Sequence, residues 1–430
     1  MAPEPGVGGS REAGLNAVRW GAGRGAIPCY HDTHCHLVEC VMPAVLFPLT
    51  PIDYVFTGSS AYPVSFVFHY DYRIDGERLR TALVRIVRDF APASSRLVQT
   101  AAGDYALQSC PEGLVFDTRS QAEPARSLPF HVYLTSVETR EDEPLCRIRL
   151  TETAEGSTLG VSLSHVVADG FSCFYFLAEL ARAFHGQPTS VPVLDRGWYQ
   201  PRTFVLPKPL AGRDALELTG FARAAPRQAR AQDAVRRETL LLGAAELAEL
   251  QAAAVAGGIA GLSLNDALTA HLWKTYVPRW TGEAPPEFAS VCLPFDARRF
   301  PKWVAGRYFG NGICLAGASL EYERFLAAEP GELAGLVRQA VARVSQEYVR
   351  TSYDVFAAVR QQEGLAALEE FHVNDPEGGI LVTNLSRVPL TSVDFGGGAP
   401  SSFAPVTDAP RTAIVLPAAD GLKIEVCYPG

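Results

Sequence analysis

The sequence predicts a mixed α/β protein, with α+β character, whose sheets contain both parallel and antiparallel strands. Strand-like and helix-like hydrophobic patterns occur in both halves of the chain, and a tight turn signal at Asp420–Gly421 stands beside longer helical crossovers. The length of 430 residues, of which 47% are hydrophobic, fits two globular domains.

The first half carries the patterns of one domain. We expect residues 1–25, which are rich in Gly, Ala, Pro and Glu, to be a flexible tail, and residues 26–187 to form an N-terminal domain. Within it, apolar residues alternate over 64–74 and predict a half-buried strand. Helical spacing of apolar residues follows over 77–90. Two further strands and an apolar helix are predicted over 145–151, 157–164 and 171–184.

The second half begins after a change in composition. Residues 188–235 contain six prolines with much Arg and Ala, and predict a crossover linker that runs over the surface. Residues 236–430 then form a C-terminal domain in which strands and helices alternate. Ser263 and Asp266 have the spacing of a capping box at the start of a helix.

Composition excludes several classes of function. A net charge of −9 argues against nucleic-acid binding as the main activity. No apolar run is long enough for a membrane span, and the first residues do not resemble a signal peptide. Nine irregularly spaced cysteines favour free thiols in a reducing compartment. We therefore expect a cytoplasmic protein with no membrane and no nucleic-acid partner.

One group of residues near the N-terminus has the side chains of a metal site. The spacing lacks the paired CxxC form that zinc sites show, so the sequence favours no metal ion there. The group comprises Cys29, His31, Asp32, His34, Cys35, His36 and Cys40.

The segment His165-Val-Val-Ala-Asp169-Gly170 could carry chemistry. It follows a buried strand and precedes an apolar helix, which is where a side chain is held firmly yet reaches a cleft. A neutral imidazole there can act as a general base near pH 7. On this segment alone, a buried histidine and a helix-starting Asp169 are the commoner explanation.

A glycine-rich turn, Asp394-Phe395-Gly396-Gly397-Gly398, lies near the C-terminus. Adjacent glycines permit close backbone approach, although such turns are common. The pattern is not GxGxxG, and no clear strand–helix unit surrounds it, so a dinucleotide site is not indicated.

Together these motifs resemble those of the BAHD acyltransferases. That family is recognised by HxxxDG near mid-chain and DFGWG near the C-terminus, which stand here at His165–Gly170 and Asp394–Gly398. The resemblance covers about residues 40–430 and includes four further stretches in the family's order. These are LFPLTPIDYVF, SLNDALTAHLWK, FDARRF with YFGN, and VTNLSRVPLTSVDFGGG.

The resemblance implies a fold like chloramphenicol acetyltransferase, with two similar domains and a channel between them. It implies transfer of an acyl group from coenzyme A to the hydroxyl or amine of a small, secondary-metabolite acceptor, with His165 as general base and no acyl-enzyme. Acyl-CoA would be a co-substrate, no cofactor would be tightly bound, and the protein would be a monomer.

The resemblance also assigns roles to other residues. Thr383 is the candidate oxyanion donor, and Asp169 would pair with Arg298 to lock the loop carrying His165. Gly170 would allow the turn. Ser263 is a candidate contact for coenzyme A, although it equally fits a plain N-cap. A structural role is expected for Asp394, Phe395, Gly396 and Gly398.

Two departures from the family pattern leave alternatives open. Gly397 stands where DFGWG has tryptophan, and Leu385 stands where the preceding strand commonly ends in tryptophan. Without these tryptophans, the aromatic acyl specificity of plant family members is not a safe expectation for this chain. A non-catalytic binding protein on the same fold also stays a possible interpretation. A carrier-protein-dependent condensation domain is a third possibility, although such domains usually have two adjacent histidines and Ser164 precedes His165 here.

Overall fold

Two mixed sheets organise the part of the chain that the computed structural model describes, namely residues 44–121, 130–206, 210, 212–225, 235–257, 259–281, 284–300 and 304–428. The expected tail at 1–25 lies outside these residues. The strands are β1 Leu46–Pro48, β2 Val64–Tyr70, β3 Ser95–Gln99, β4 Tyr105–Ser109, β5 Leu114–Ser120, β6 Cys146–Glu152, β7 Ser157–Leu163, β8 Ala222–Arg223, β9 Arg236–Leu242, β10 Phe288–Asp296, β11 Ile313–Glu321, β12 Phe371–His372, β13 Gly379–Asn384, β14 Ser402–Pro405, β15 Thr412–Ala418 and β16 Gly421–Tyr428. The helices are α1 Pro51–Val55, α2 Gly76–Ile86, α3 Phe130–Tyr133, α4 Gly170–Phe184, α5 Gly212–Thr219, α6 Ala244–Ala256, α7 Leu264–Trp280, α8 Tyr322–Ala327, α9 Pro330–Arg343 and α10 Gln346–Glu363.

The first sheet has the strand order β14-β2-β7-β6-β5, in which only β5 and β6 run parallel. The second sheet has the order β11-β10-β13-β15-β16-β9, in which β13 runs parallel to both neighbours. Both sheets are therefore mixed, as the combination of hairpin and crossover signals predicts. Two small sheets, β1-β4-β3 and β12-β8, accompany them.

One strand from the C-terminal half of the chain belongs to the first sheet. Residues 402–405 fall within the range expected for the C-terminal domain, yet β14 pairs antiparallel with β2 of the first sheet. Its backbone hydrogen bonds satisfy the edge of β2, which would otherwise be unpaired. The glycine-rich turn lies just before this exchanged strand and so comes against the N-terminal half.

The prediction of a half-buried strand over 64–74 is wrong in its burial. In β2 both faces are covered, because Phe66 and Phe68 pack into the main core while Val67 packs against Tyr133 and Leu134 on the other face. Aromatic residues on one face gave an alternating pattern, but a second layer of chain hides the opposite face as well.

The prediction that residues 188–235 run over the surface is also wrong for much of the segment. The described part contains α5 and β8, and it buries Arg196, Tyr199 and Phe221 in the main core region. Proline restricts the backbone conformation but does not determine whether neighbouring side chains are exposed. The composition of this segment therefore did not indicate that part of it is buried. None of the described helices has the length and apolarity needed to cross a membrane.

Candidate active site

A cavity of about 720 Å³ has walls from both halves of the chain. β2 and α4 contribute Phe66 and Phe174 from the N-terminal half, whereas β13 and β15 contribute Leu381 and Ile414 from the C-terminal half. A pocket of this size with a mainly apolar wall and few polar groups is typical of small-molecule sites. His165 is one of the few titratable side chains on its wall.

His165 is positioned by the end of a central strand. β7 has strand partners on both sides and ends at Leu163, and α4 begins at Gly170. The loop between them is short and almost wholly buried, while His165 itself is half-buried on the cavity wall. The chain therefore presents one imidazole to the cavity from a rigid strand end.

Asn311 fixes the tautomer of the imidazole. Its amide nitrogen donates to the Asp53 carboxylate (2.8 Å) and to the backbone oxygen of His165 (2.7 Å). The amide oxygen of Asn311 must then face Nδ1 of His165, 3.1 Å away, and Nδ1 carries the proton as donor. Nε2 is left as the unprotonated nitrogen, and it has no hydrogen bond to any described residue.

The surroundings of His165 favour its neutral form. Burial lowers the pKa of His165 below its ordinary value, although the nearby charge of Asp169 acts in the opposite direction. Phe56 covers one face of the ring, with the ring centroids 3.8 Å apart and the planes 14° from parallel. An imidazole held in this way is neutral near pH 7 and can accept a proton at Nε2.

Asp169 forms a buried, bidentate ion pair with Arg298. The guanidinium lies 2.9 Å and 3.3 Å from the two carboxylate oxygens, and the backbone nitrogens of Ser172 and Gly312 donate to the same carboxylate. Burial disfavours the charge, but Arg298 and these hydrogen bonds outweigh it and lower the pKa of Asp169. The pair joins the loop after β7 to the segment between β10 and β11.

Gly170 is not needed for a left-handed turn. Gly170 is the first residue of α4, and its φ is not positive. A Cβ at this position would meet no atom within 4 Å. Gly170 lines the cavity, so the absence of a side chain leaves open space beside His165.

Thr383, which lies in β13, and Leu385, which follows the end of this strand, both line the cavity. The Thr383 hydroxyl makes no hydrogen bond to another described residue. It is therefore available to donate to a bound molecule. The neighbouring Asn384 is engaged, since its amide donates to Asn265 over 2.8 Å and its oxygen accepts from Ser386.

The glycine-rich turn lies away from this cavity, because none of residues 394–398 lines it. The Asp394 carboxylate accepts hydrogen bonds from the backbone nitrogens of Gly396 and Gly398, both of which have positive φ. Tyr72 donates to the oxygen of Gly398 and accepts from the nitrogen of Phe395. The turn is thus folded on itself and attached to the N-terminal half.

Ser263 is the N-cap of α7. Its hydroxyl and backbone nitrogen both bond to the Asp266 carboxylate at 2.7 Å, completing the capping box that the spacing predicts. Asp266 is in turn paired with Arg338. Ser263 is not among the residues that line the cavity around His165, and its contact with coenzyme A stays a prediction beside its role as N-cap.

Sequence reasoning missed four residues around His165: Asp53, Phe56, Arg196 and Asn311. Three of them stand in stretches that carry the resemblance, LTPIDYVF and YFGN, but no spacing links those stretches to His165. Arg196 lies in the linker and gave no signal. Among the described residues, no group of three His, Cys, Asp or Glu is placed to hold a metal ion, and the cysteine–histidine group at 29–40 lies outside them.

Comparison with known proteins identifies the family to which this chain belongs. A model of the transferase family matches residues 42–429. The chain belongs to this family, the BAHD acyltransferases. Membership confirms the resemblance that the motifs carry, and it makes the protein an acyl-CoA-dependent acyltransferase.

Two rice relatives (Oryza sativa subsp. japonica) illustrate the similarity. Hydroxycinnamoyltransferase 2 is 26% identical over 374 residues, which are 81% of this chain and 82% of the relative. Putrescine hydroxycinnamoyltransferase 1 is 28% identical over 346 residues, which are 75% and 76% of the two chains.

Solved structures confirm the fold. F. sporotrichioides TRI101 complexed with coenzyme A and T-2 superposes with a TM-score of 0.71 at 16% identity, over 89% of this chain and 95% of that one. Vinorine synthase gives a TM-score of 0.64 at 16% identity, over 89% and 90%. A condensation domain of the CDA synthetase is less similar in fold, with a TM-score of 0.55. The mixed α/β fold built on two mixed sheets is that of the acyltransferases.

Proposed function

We propose that this protein transfers an acyl group from an acyl-CoA thioester to the hydroxyl or amine of a small acceptor, with His165 as the general base. Family membership supports the reaction class, and one observation carries the assignment of the base. His165 lies on the cavity wall as a neutral imidazole whose proton is held on Nδ1 by Asn311. Nε2 is therefore the nitrogen that can take a proton from the acceptor.

The transfer proceeds while donor and acceptor are bound together. As the acceptor oxygen or nitrogen bonds to the thioester carbon, its proton passes to Nε2 of His165, and the thioester oxygen becomes an oxyanion. The carbon–sulfur bond then breaks, the carbonyl re-forms, and the imidazolium returns the proton to the thiolate of coenzyme A. His165 is restored, and no group on the protein has been acylated.

Cysteine nucleophiles are not required by this scheme, and the described thiols are poorly suited to the task. Cys146, Cys173 and Cys292 are fully buried, and burial raises the pKa of each thiol. A protonated thiol inside the core does not attack a thioester in the cavity. Direct attack by the acceptor avoids the need for one.

Thr383 is the oxyanion donor in this proposal. Its support is that the side chain lies on the cavity wall and that its hydroxyl makes no hydrogen bond to another described residue. A hydroxyl that is free before the reaction can donate to the developing negative charge. Asp169 and Arg298 act differently, since they fix the loop on which His165 is carried.

The acceptor and the setting also belong to the proposal. The names of the relatives, hydroxycinnamoyltransferases of plants, support a small secondary metabolite as acceptor. Acyl-CoA is bound as a co-substrate rather than held as a cofactor, and we expect the enzyme to act as a cytoplasmic monomer.

The experiment measures transfer directly. Purified protein is incubated with a set of acyl-CoA thioesters and a mixture of alcohols and amines, with free coenzyme A thiol and acylated product followed together. We expect thiol release that depends on the acceptor and falls at least about a hundredfold in His165→Ala. His69→Ala is the matched control, because His69 does not line the cavity. Transfer that persists in His165→Ala contradicts the assignment of the base.

A further inference from the structure

A second buried ion pair, Asp53 with Arg196, lies behind the candidate base. The two side chains are 0% and 1% exposed, and the guanidinium nitrogen Nη1 of Arg196 lies 2.6 Å from Oδ2 of Asp53. Asp53 belongs to α1, whereas Arg196 comes from the segment that connects the two halves. The pair therefore joins two parts of the chain that are distant in sequence.

Both members of this pair reach the segment that carries His165. The other terminal guanidinium nitrogen of Arg196, Nη2, donates to the backbone oxygen of Val167 over 2.6 Å. The second carboxylate oxygen of Asp53, Oδ1, accepts from the amide of Asn311, whose own oxygen faces Nδ1 of His165. The connection runs through direct hydrogen bonds at every step.

Two acceptors orient the Asn311 amide, namely the Asp53 carboxylate and the backbone oxygen of His165. A carboxylate can only accept, so it requires the NH2 group of Asn311 and turns the amide oxygen towards the imidazole. Oδ2 of Asp53 is already occupied by three donors, from Arg196 and from the nitrogen and hydroxyl of Thr50. Oδ1 is thus the oxygen that faces Asn311, and it cannot exchange roles with Oδ2 without losing those bonds.

We propose that Asp53 and Arg196 are positioning residues for the acyl transfer, because they set the tautomer of His165 through Asn311. This inference rests on the proposed function of His165 but concerns the proton on its other nitrogen. Burying two charges has a free-energy cost that an apolar pair of the same size would avoid. In this fold the Asp53 carboxylate, held by Arg196, does what an apolar side chain could not, since together with the backbone oxygen of His165 it requires the NH2 group of Asn311.

Asp53→Asn tests the idea with an almost isosteric change. The three donors at Oδ2 hold the amide oxygen of the new side chain, so its NH2 group faces Asn311. The NH2 groups at positions 53 and 311 would then face each other, and we expect Asn311 to rotate, at the cost of its bond to the backbone oxygen of His165, so that its NH2 group faces Nδ1. Nδ1 becomes an acceptor, the proton moves to Nε2, and the nitrogen needed as base is blocked.

The measured quantity is which ring nitrogen of His165 carries the proton. The chain has nine histidines, so ¹⁵N-histidine labelling with His165→Gln as the assignment reference identifies the ring of interest. In the wild type we expect the proton of His165 on Nδ1. In Asp53→Asn we expect it on Nε2, together with a fall in kcat of about tenfold or more and a KM for acyl-CoA within about twofold of the wild type.

Asp117→Asn is the matched control. Asp117 forms a buried, bidentate pair with Arg149 in the first sheet and does not line the cavity, so the same substitution should leave the His165 tautomer and kcat unchanged.

The outcomes separate this inference from the proposed function. An unchanged tautomer in a folded Asp53→Asn protein overturns the inference, whatever the activity. If Asp53→Asn does not fold, the apolar double variant Asp53→Leu with Arg196→Met provides the test. Only the backbone oxygen of His165 is then left to orient the Asn311 amide, so the Nδ1 preference should weaken, and an undiminished preference overturns the inference. Activity in His165→Ala would instead refute the proposed function, and the tautomer measurement does not depend on activity.

Discussion

The substitution Asp169→Asn tests how the loop carrying His165 is held. The Asp169 carboxylate accepts from both terminal nitrogens of Arg298 and from the backbone nitrogens of Ser172 and Gly312. Asparagine has the same shape but replaces one oxygen by an NH2 group that can only donate. That group would face existing donors, and Arg298 would lose its full counter-charge.

The expected loss of stability follows from this geometry. The Asp169 and Arg298 side chains are 6% and 2% exposed, so removing one charge leaves the other buried without an equal partner. Breaking such a pair costs about 3–5 kcal/mol of unfolding free energy. Because a shift of the base by about 1 Å can cost about a hundredfold in rate, we also expect kcat to fall by about that factor.

The dependence on pH supplies an independent check. The pKa of Asp169 is lower in the folded protein than in the unfolded chain, so the unfolded chain binds the proton more readily at acidic pH. The stability that the carboxylate contributes is therefore present above its ordinary pKa and is lost as the pH falls through the lowered value. The difference between wild type and Asp169→Asn should shrink over that range.

We would measure the free energy of unfolding in urea and the steady-state kinetics of Asp169→Asn. Asp117→Asn is the control variant. Asp117 and Arg149 form a similarly buried pair, with side chains 10% and 6% exposed, so Asp117→Asn should lose comparable stability while retaining kcat. Asp169→Asn should lose both. The reasoning is refuted if Asp169→Asn keeps wild-type stability and kcat, or if both variants lose activity only in proportion to their unfolded fraction.

Other predictions follow from single contacts. We expect kcat/KM to rise with pH through one ionisation of His165 below its ordinary value of 6.5 and then to level off, and a midpoint above 6.5 would contradict the lowered pKa. Gly397→Trp should destabilise the protein by about 1–3 kcal/mol in urea unfolding, because a Cβ at 397 lies 2.5 Å from the Tyr72 ring, and Tyr72→Ala should relieve that penalty if the ring is its cause. Ser263→Ala should cost about 1 kcal/mol through the lost cap with an unchanged KM for acyl-CoA, whereas a raised KM would restore Ser263 as a coenzyme A contact. Leu385→Trp should raise the KM of bulky acceptors more than that of small ones, and equal effects on both would show that position 385 does not shape the cavity.

The main elements of the fold could be predicted from local patterns, but their packing could not. The capping box at Ser263 and Asp266 and the helix after Gly170 are local features, and the structure has both. The exchange of β14 into the first sheet depends on contacts between residues more than 300 positions apart, such as Phe403 with Phe68. Nothing in the four residues Ser402–Pro405 signals that partner.

In the candidate site, too, some residues could be predicted from the sequence and others could not. The sequence identifies His165, Asp169 and Arg298 because motifs and a resemblance connect them, and the structure brings the last two into contact. It does not connect Asn311 to His165, because the tautomer is set by hydrogen bonds between segments 146 residues apart. The sequence also gives no signal for Arg196, because its proline-rich surroundings are typical of an exposed linker although its side chain is buried.

The two missing tryptophans have different consequences, because they occupy different places in the structure. Gly397 lies in a turn that does not border the cavity, and the Tyr72 ring fills the space where its side chain would begin. Tyr72 also bonds the turn on both sides, so the turn keeps its attachment to the N-terminal half without an indole. Leu385, in contrast, lies on the cavity wall. Of the two positions, Leu385 is therefore the one at which the loss of an indole directly changes the space beside Thr383.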